Sequence, residues 1–153
     1  MSGPLVSFEK RGEIGWITMD DGKANALSPQ LIADFAAALD EAEGAVKAVV
    51  LTGRAGRFCA GYDLKIMMSG KGPASDLTAS GCELMARLYV FPMPVVIACT
   101  GHAMAGGALL LLCGDVRLGV QGAFKIGLTE VQIGIPLPAF GIDLVEDRLS
   151  RSQ

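Results

Sequence analysis

Histidine is nearly absent from this chain: one, His102, stands among 153 residues, and the four cysteines at 59, 82, 99 and 113 show no CxxC spacing. Without paired thiols or a second imidazole, neither a zinc site nor a disulfide framework is favoured, and no metal is expected. Clusters of basic side chains are missing as well. Thirteen Lys and Arg against sixteen Asp and Glu give a net charge of −3, which leaves no electrostatic footprint for nucleic acid or an anionic membrane. The longest apolar run, residues 103–113, is about half of the ~20 residues needed to span a bilayer. The opening "MSGPLVSFEK" lacks a basic stretch followed by an apolar one, so no secretory signal is expected. No GxGxxG follows a strand and no GK[ST] occurs, which excludes the dinucleotide fingerprint and the P-loop. A soluble protein of a reducing compartment, the cytoplasm, is the expectation.

What is abundant is apolar surface. The residues AVILMFWYC make up 51% of the chain, glycine adds 20 more, and mean hydropathy is +0.44. This exceeds what one small domain ordinarily buries, so an oligomer interface or a further segment is expected to cover the excess. Strand-like runs at 6–10 and 14–19 flank a turn at Arg11-Gly12-Glu13. Ser28-Pro29 has the N-cap and first-turn chemistry of a helix whose apolar face is Leu31, Ile32, Phe35, Ala36 and Leu39. "AVVLT" (48–52) and "PVVIACT" (94–100) suit strands covered on both faces. Residues 56–63 read as a small-residue loop, 64–68 as the start of a short helix, 69–75 as a surface loop and 77–90 as a helix. A helix opens at Gly106-Gly107, "VRLGV" and "AFKIG" are short strands, and 137–149 is a partly amphipathic helix. Strands and helices alternate, which makes the class α/β. No internal repeat of fixed period is visible.

Two strand-to-turn junctions could carry chemistry: "VVLTGRAGRFCAGYDL" (49–64) and "PVVIACTGHAMAGGALLLLCGD" (94–115). Glycine and alanine admit a ligand close to the backbone, and a helix N-terminus leaves its first amides unpaired. Two such amides aimed at one point would bind an anionic oxygen, although glycines that merely turn the chain would look the same. The third stretch, "KIGLTEVQIGI" (125–135), holds Glu130 among five aliphatic residues. A carboxylate in such a setting needs a partner or an opening to ligand. Read locally, Glu130 is either a site acid or a strand-edge carboxylate paired with Lys125 or Arg117.

In their order and spacing, "GRFCAGYDL", "GHAMAGGALLLLCGDVRLG" and "KIGLTEVQIGI" resemble the crotonase superfamily of enoyl-CoA hydratases and isomerases. The match runs from about Val6 to the end of the chain and includes "KANALS" (23–28), similar to the early acyl-CoA-contacting loop of the family. The resemblance implies a ClpP/crotonase-like fold of repeated ββα units over residues 1–153 as a single core domain, shortened at its C-terminal end. It also implies an acyl-CoA thioester substrate, a homotrimer or dimer of trimers, and no cofactor beyond the coenzyme A of the substrate. By position, the backbone N–H groups of Tyr62 and Gly106 resemble the oxyanion donors and Glu130 the catalytic glutamate. Ala24, Ala26, Ala60, Asp63, Leu64, Lys65 and Thr129 fall on positions that contact CoA or substrate.

Hydratases of this type use a second glutamate, three residues beyond the oxyanion glycine, where this chain has Leu109. Leucine can neither orient nor deprotonate water. Moving a double bond needs only one base, which takes a proton from C2 and returns it at C4. "IGLTE" followed by "IGIPLPAFG" also resembles the isomerase branch, so Δ3,Δ2-enoyl-CoA isomerisation is the expected activity. Enoyl-CoA hydration and a non-catalytic shortened core remain as alternatives. A thioester hydrolase would need another acid, for which Asp143 is the nearby candidate. His102 is expected to be structural and the cysteines to be core filler. Asp115 would anchor a strand, while Asp143, Glu146, Asp147, Arg148 and Arg151 would form a solvated helix face.

Overall fold

The computed structural model describes residues 3–150; Arg151 of the expected solvated face lies outside them. In chain order the elements are β1 (Val6–Arg11), β2 (Ile14–Met19), β3 (Ala26–Leu27), α1 (Pro29–Ala42), β4 (Ala48–Thr52), β5 (Gly56–Cys59), β6 (Gly61–Tyr62), α2 (Leu64–Met67) and α3 (Lys71–Tyr89). They continue with β7 (Val95–Cys99), β8 (Gly101–Met104), α4 (Gly106–Cys113), β9 (Val116–Gly119), β10 (Ile126–Gly127), a 3-10 turn (Glu130–Ile133) and α5 (Ala139–Arg148).

A five-stranded sheet runs in the order β1-β2-β4-β7-β9, with a smaller sheet β10-β8-β5 and the pair β3-β6. Among the described strand pairs only the β1–β2 hairpin is antiparallel, the other strand pairs being parallel, with a lone antiparallel bridge between Arg54 and Arg57. The topology resolves into a repeat. β4, β7 and β9 each enter the large sheet, the following β5, β8 and β10 enter the small one, and α3, α4 and α5 close the units. These are the ββα units that the resemblance implies. They begin at residues 48, 95 and 116, so unequal connections hide the repeat from any search for a fixed period.

α1 forms where its capping chemistry predicts. The Ser28 hydroxyl accepts from the Leu31 amide at 3.2 Å, and Pro29 occupies the first turn. Its buried face comprises Leu31, Ile32, Phe35, Ala38, Leu39 and Ala42; Ala36 is only half-buried at its edge. α4 is apolar all round and buried all round, as such a helix must be in a globular protein. In β4 and β7 one face is fully buried and the other half-buried, so their continuous apolar runs overstate the cover on the second face.

Two local readings are corrected. Residues 56–63 are not a loop: β5 and β6 lie there, held by parallel pairing to β8 and β3. Glycine-rich sequence conceals these strands because the glycines serve close backbone approach; a Cβ on Gly101 of β8 would overlap the backbone of Gly56. The stretch 69–75 is not a surface loop either, since α3 starts at Lys71 with Pro73 in its first turn, where proline costs no hydrogen bond.

Candidate active site

The two glycine turns meet. Gly61 has φ +90°, and a Cβ there would sit 2.9 Å from the Ala105 Cβ and 3.1 Å from the Gly106 nitrogen. The peptide that leads into Tyr62 is therefore packed directly on the junction that opens α4. Ala105 adopts φ +52° and ψ −124°, a strained arrangement for a residue with a side chain, costing on the order of 1–3 kcal/mol. Its own amide donates to the Gly127 carbonyl at 2.9 Å, and its carbonyl accepts from Ala108 and Leu109 at 2.8 and 3.2 Å. The Gly106 and Gly107 amides precede the first intrahelical donor, so the helix offers them no acceptor and adds the positive end of its dipole.

A cavity of about 190 Å³ lies beside this junction, lined by Ala60, Tyr62, Leu64, Met67, Thr78, Ala105, Thr129, Glu130, Gln132, Ile133, Ile135, Pro136 and Pro138. Glu130 is its only acidic side chain. It begins the 3-10 turn rather than a strand edge, and among the described residues its Oε2 is buried without a hydrogen-bond partner. No ion pair joins it to Lys125 or Arg117 among the described residues; Arg117 donates to the Gly114 carbonyl at 2.6 Å. The half-buried Thr129 precedes Glu130 on the cavity wall, with no side-chain cap bond. Gly106 is buried behind Ala105 and does not itself line the cavity.

Outside, a groove of about 560 Å³ is lined by Leu5, Asp21, Lys23, Ala24, Ala26, Ser28, Ala60, Tyr62, Asp63, Leu64 and Lys65. It shares Ala60, Tyr62 and Leu64 with the cavity, so the two adjoin along these residues. Asp63 caps α2 by accepting from the Lys65 amide at 2.9 Å. The Ala60 amide donates to the Ala24 carbonyl at 3.0 Å, and Ala26 pairs with Gly61. Every residue that the resemblance places in the site, apart from Gly106, thus lines the cavity or the groove. The arrangement can hold a long ligand with a polar part along Lys23 and Lys65, a carbonyl at the glycine junction and an apolar end beside one carboxylate.

A family model described as enoyl-CoA hydratase/isomerase matches residues 9–153. The chain belongs to the enoyl-CoA hydratase/isomerase family. The crystal structure of an enoyl-CoA hydratase/isomerase family protein from Pseudomonas syringae superposes with a TM-score of 0.94 at 47% identity, over 97% of this chain and 64% of that one. An enoyl-CoA hydratase from Mycobacterium ulcerans gives a TM-score of 0.93 at 43% identity, over 98% and 66%. Among curated proteins, the mitochondrial enoyl-CoA delta isomerase 1 of Rattus norvegicus is 34% identical over 145 residues, 90% of this chain and 50% of its own length. Hydratase and isomerase names both occur among the relatives. The chain spans about half the length of the curated relatives it matches.

Within this family frame, Leu109 is fully buried and lines neither cavity nor groove. Its side chain packs on α5, where a Cβ on Gly141 would lie 3.1 Å from its Cδ1. His102 accepts from the Lys125 amide at 2.9 Å through Nδ1 and meets Phe124 edge-on, which ties β8 to the turn before β10. Burial pushes the Cys59 and Cys113 thiols up to about 12, as inert core filler requires. Asp115 accepts from the Val95 amide at 2.7 Å and anchors the start of β7. Asp143 is exposed and lines neither space. The expected solvated face of α5 is partly engaged: Asp147 accepts from the Tyr89 phenol at 2.7 Å, and Arg148 stacks over the Tyr89 ring. Among the described residues no group of side chains could hold a metal ion, and no helix is long and apolar enough to cross a membrane.

Sequence reasoning missed Asn25, Ala105, Met67, Thr78 and Gln132. Only Asn25 carried a local signal, since it stands inside "KANALS" and asparagine tolerates the positive φ of 53° found there.

Proposed function

We propose that the protein isomerises 3-enoyl-CoA thioesters to 2-enoyl-CoA thioesters with Glu130 as the single base. The observation that carries this reading is the cavity's one carboxylate, beside the glycine junction. The thioester carbonyl accepts hydrogen bonds from the Tyr62 and Gly106 amides, which makes the C2 proton removable; each preorganised donor of this kind lowers the barrier by about 3–4 kcal/mol. Glu130 takes the C2 proton, electron density moves into the conjugated dienolate, and the same carboxyl returns the proton at C4. Ala24, Ala26, Ala60, Asp63, Leu64, Lys65 and Thr129 bind the acyl-CoA, with Lys23 and Lys65 facing its phosphates.

Hydration of 2-enoyl-CoA is the second reading, supported by the hydratase names among relatives. It requires a second group to hold and deprotonate water, and the position that supplies one in such enzymes is the core residue Leu109. Assembly into trimers belongs to the proposal too, supported by the uncovered Val116, Leu118 and Val120 along β9 and beyond it.

Incubation with a 3-enoyl-CoA should raise the conjugated-thioester absorbance, and incubation with a 2-enoyl-CoA should leave it in place. Glu130→Gln should lower isomerase turnover by about a thousandfold or more while acyl-CoA still binds. Unchanged turnover in that variant, or consumption of the 2-enoyl thioester by the parent protein, would refute the assignment.

A further inference from the structure

α3 carries a glycine in its middle, Gly81, where glycine costs about 1 kcal/mol relative to alanine. Such a residue calls for a packing reason, and the Tyr62 ring supplies it. A Cβ on Gly81 would overlap Tyr62 Cε1 and lie 2.5 Å from the phenolic oxygen and 2.8 Å from Cζ. The opposite edge of the ring faces α4, where a Cβ on Gly106 would lie 3.3 Å from Cε2 and 3.4 Å from Cδ2. The phenol donates to the Thr78 carbonyl at 3.4 Å and stands 4.0 Å from Cys82 Sγ. Desolvation pushes its pKa well up, so it remains a donor across the working range.

We propose that the Tyr62 ring, seated on Gly81 of α3 and against Gly106 of α4, is a positioning residue that sets the direction of the Tyr62 and Gly106 amides. The reason lies in how short the strand is that holds the Tyr62 peptide. β6 is two residues long and begins at Gly61, whose φ of +90° belongs to the most permissive residue type. So short a ladder fixes a peptide plane weakly. A ring anchored on two helices fixes its own Cα, and with it the preceding amide. The same ring walls the cavity and fills the space beside Gly106, the first residue of α4, so one side chain aligns both donors. Rotating an oxyanion donor by a few tens of degrees weakens its hydrogen bond steeply, and the loss is felt where charge develops rather than in ground-state binding.

The inference rests on the oxyanion reading above, and its test separates the two. Cinnamoyl-CoA has no hydrogen at C4 to exchange, and its absorbance moves to longer wavelength when the carbonyl is polarised. Bound to the full chain it should show that red shift; no shift with the parent protein overturns the oxyanion reading and this inference with it. Gly81→Ala, which displaces the ring, should bind cinnamoyl-CoA within about threefold of the parent but lose about half of the shift or more. With a 3-enoyl-CoA its kcat should fall about tenfold at similar KM. In a Tyr62→Ala background Gly81→Ala should have no further effect, because the ring it displaces is gone. A shift unchanged by Gly81→Ala, or reduced equally in both backgrounds, overturns the inference and leaves the reading of the site intact. Should Gly81→Ala fail to fold, Tyr62→Leu carries the test: lost shift with retained binding supports the role, and a retained shift overturns it.

Discussion

Asn25 is the one polar side chain among the described residues that is buried completely, and it works through hydrogen bonds to backbone. Its Oδ1 accepts from the Asp21 amide at 2.9 Å, and its Nδ2 donates to the carbonyls of Met19, Phe58 and Arg57 at 2.9, 3.1 and 3.3 Å. Those carbonyls belong to β2 and β5, so the segment carrying Ala24 and Ala26 is bolted to the strand that leads into Tyr62. Asn25→Ala would strand an amide and at least two buried carbonyls and would place alanine at φ +53°. Each unsatisfied group costs about 1–3 kcal/mol and the backbone about 1 more, so a loss of about 4 kcal/mol or more is expected. A urea titration measures it, and a loss under 1 kcal/mol would show that water replaces the lost bonds. At this scale the resemblance made Glu130, Tyr62 and the groove alanines legible, because each sits in a sequence block. Ala105 and Asn25 were not legible as parts of the site. The first contributes a backbone conformation rather than a functional group, and two of the second's partners, Arg57 and Phe58, lie on a strand that the sequence conceals.

Among the elements, α4 shows most clearly why some features could be read from sequence and others not. Its extent follows from a double glycine and a run of leucines, and capping and apolar periodicity place α1, β4 and β7 similarly. Short strands that exist only through tertiary pairing, β5, β6 and β8, carry no such pattern. The placement of α4 depends on Gly107, where a Cβ would overlap the Cys59 carbonyl of β5. Backbone oxygen cannot swing aside as a side chain can, so Gly107→Ala must lift the helix start from the strand. A loss of about 3 kcal/mol or more is expected, together with loss of the proposed isomerase activity as the Gly106 amide moves. Gly119→Ala on β9, where a Cβ would meet nothing within 4 Å, should change stability by about 0.5 kcal/mol or less. Thermal melts of the two variants give the comparison; equal behaviour would mean that α4 and β5 adjust freely.

The whole molecule's response to pH follows from what it buries. Acids and bases lie mostly at its surface, while Cys59 and Cys113 sit inside with their thiols raised from the ordinary 9.0 to about 12 by desolvation. Below pH 9 both the folded and unfolded chains keep these protons, and the stabilisation is fully present. Above it only the unfolded chain releases them, so stability falls with rising pH until the native thiols themselves ionise near 12. Each thiol contributes a slope of about 1.4 kcal/mol per pH unit in that window. The half-buried Cys82 and Cys99 are shifted in the same direction and steepen the decline. Urea midpoints should therefore be flat from neutral pH to about pH 8.5 and drop steadily above pH 9. Cys113→Ala should remove about one proton from the pH dependence, whatever it does to stability at neutral pH. A midpoint that holds to pH 10.5 would mean that the interior admits hydroxide or water to its thiols.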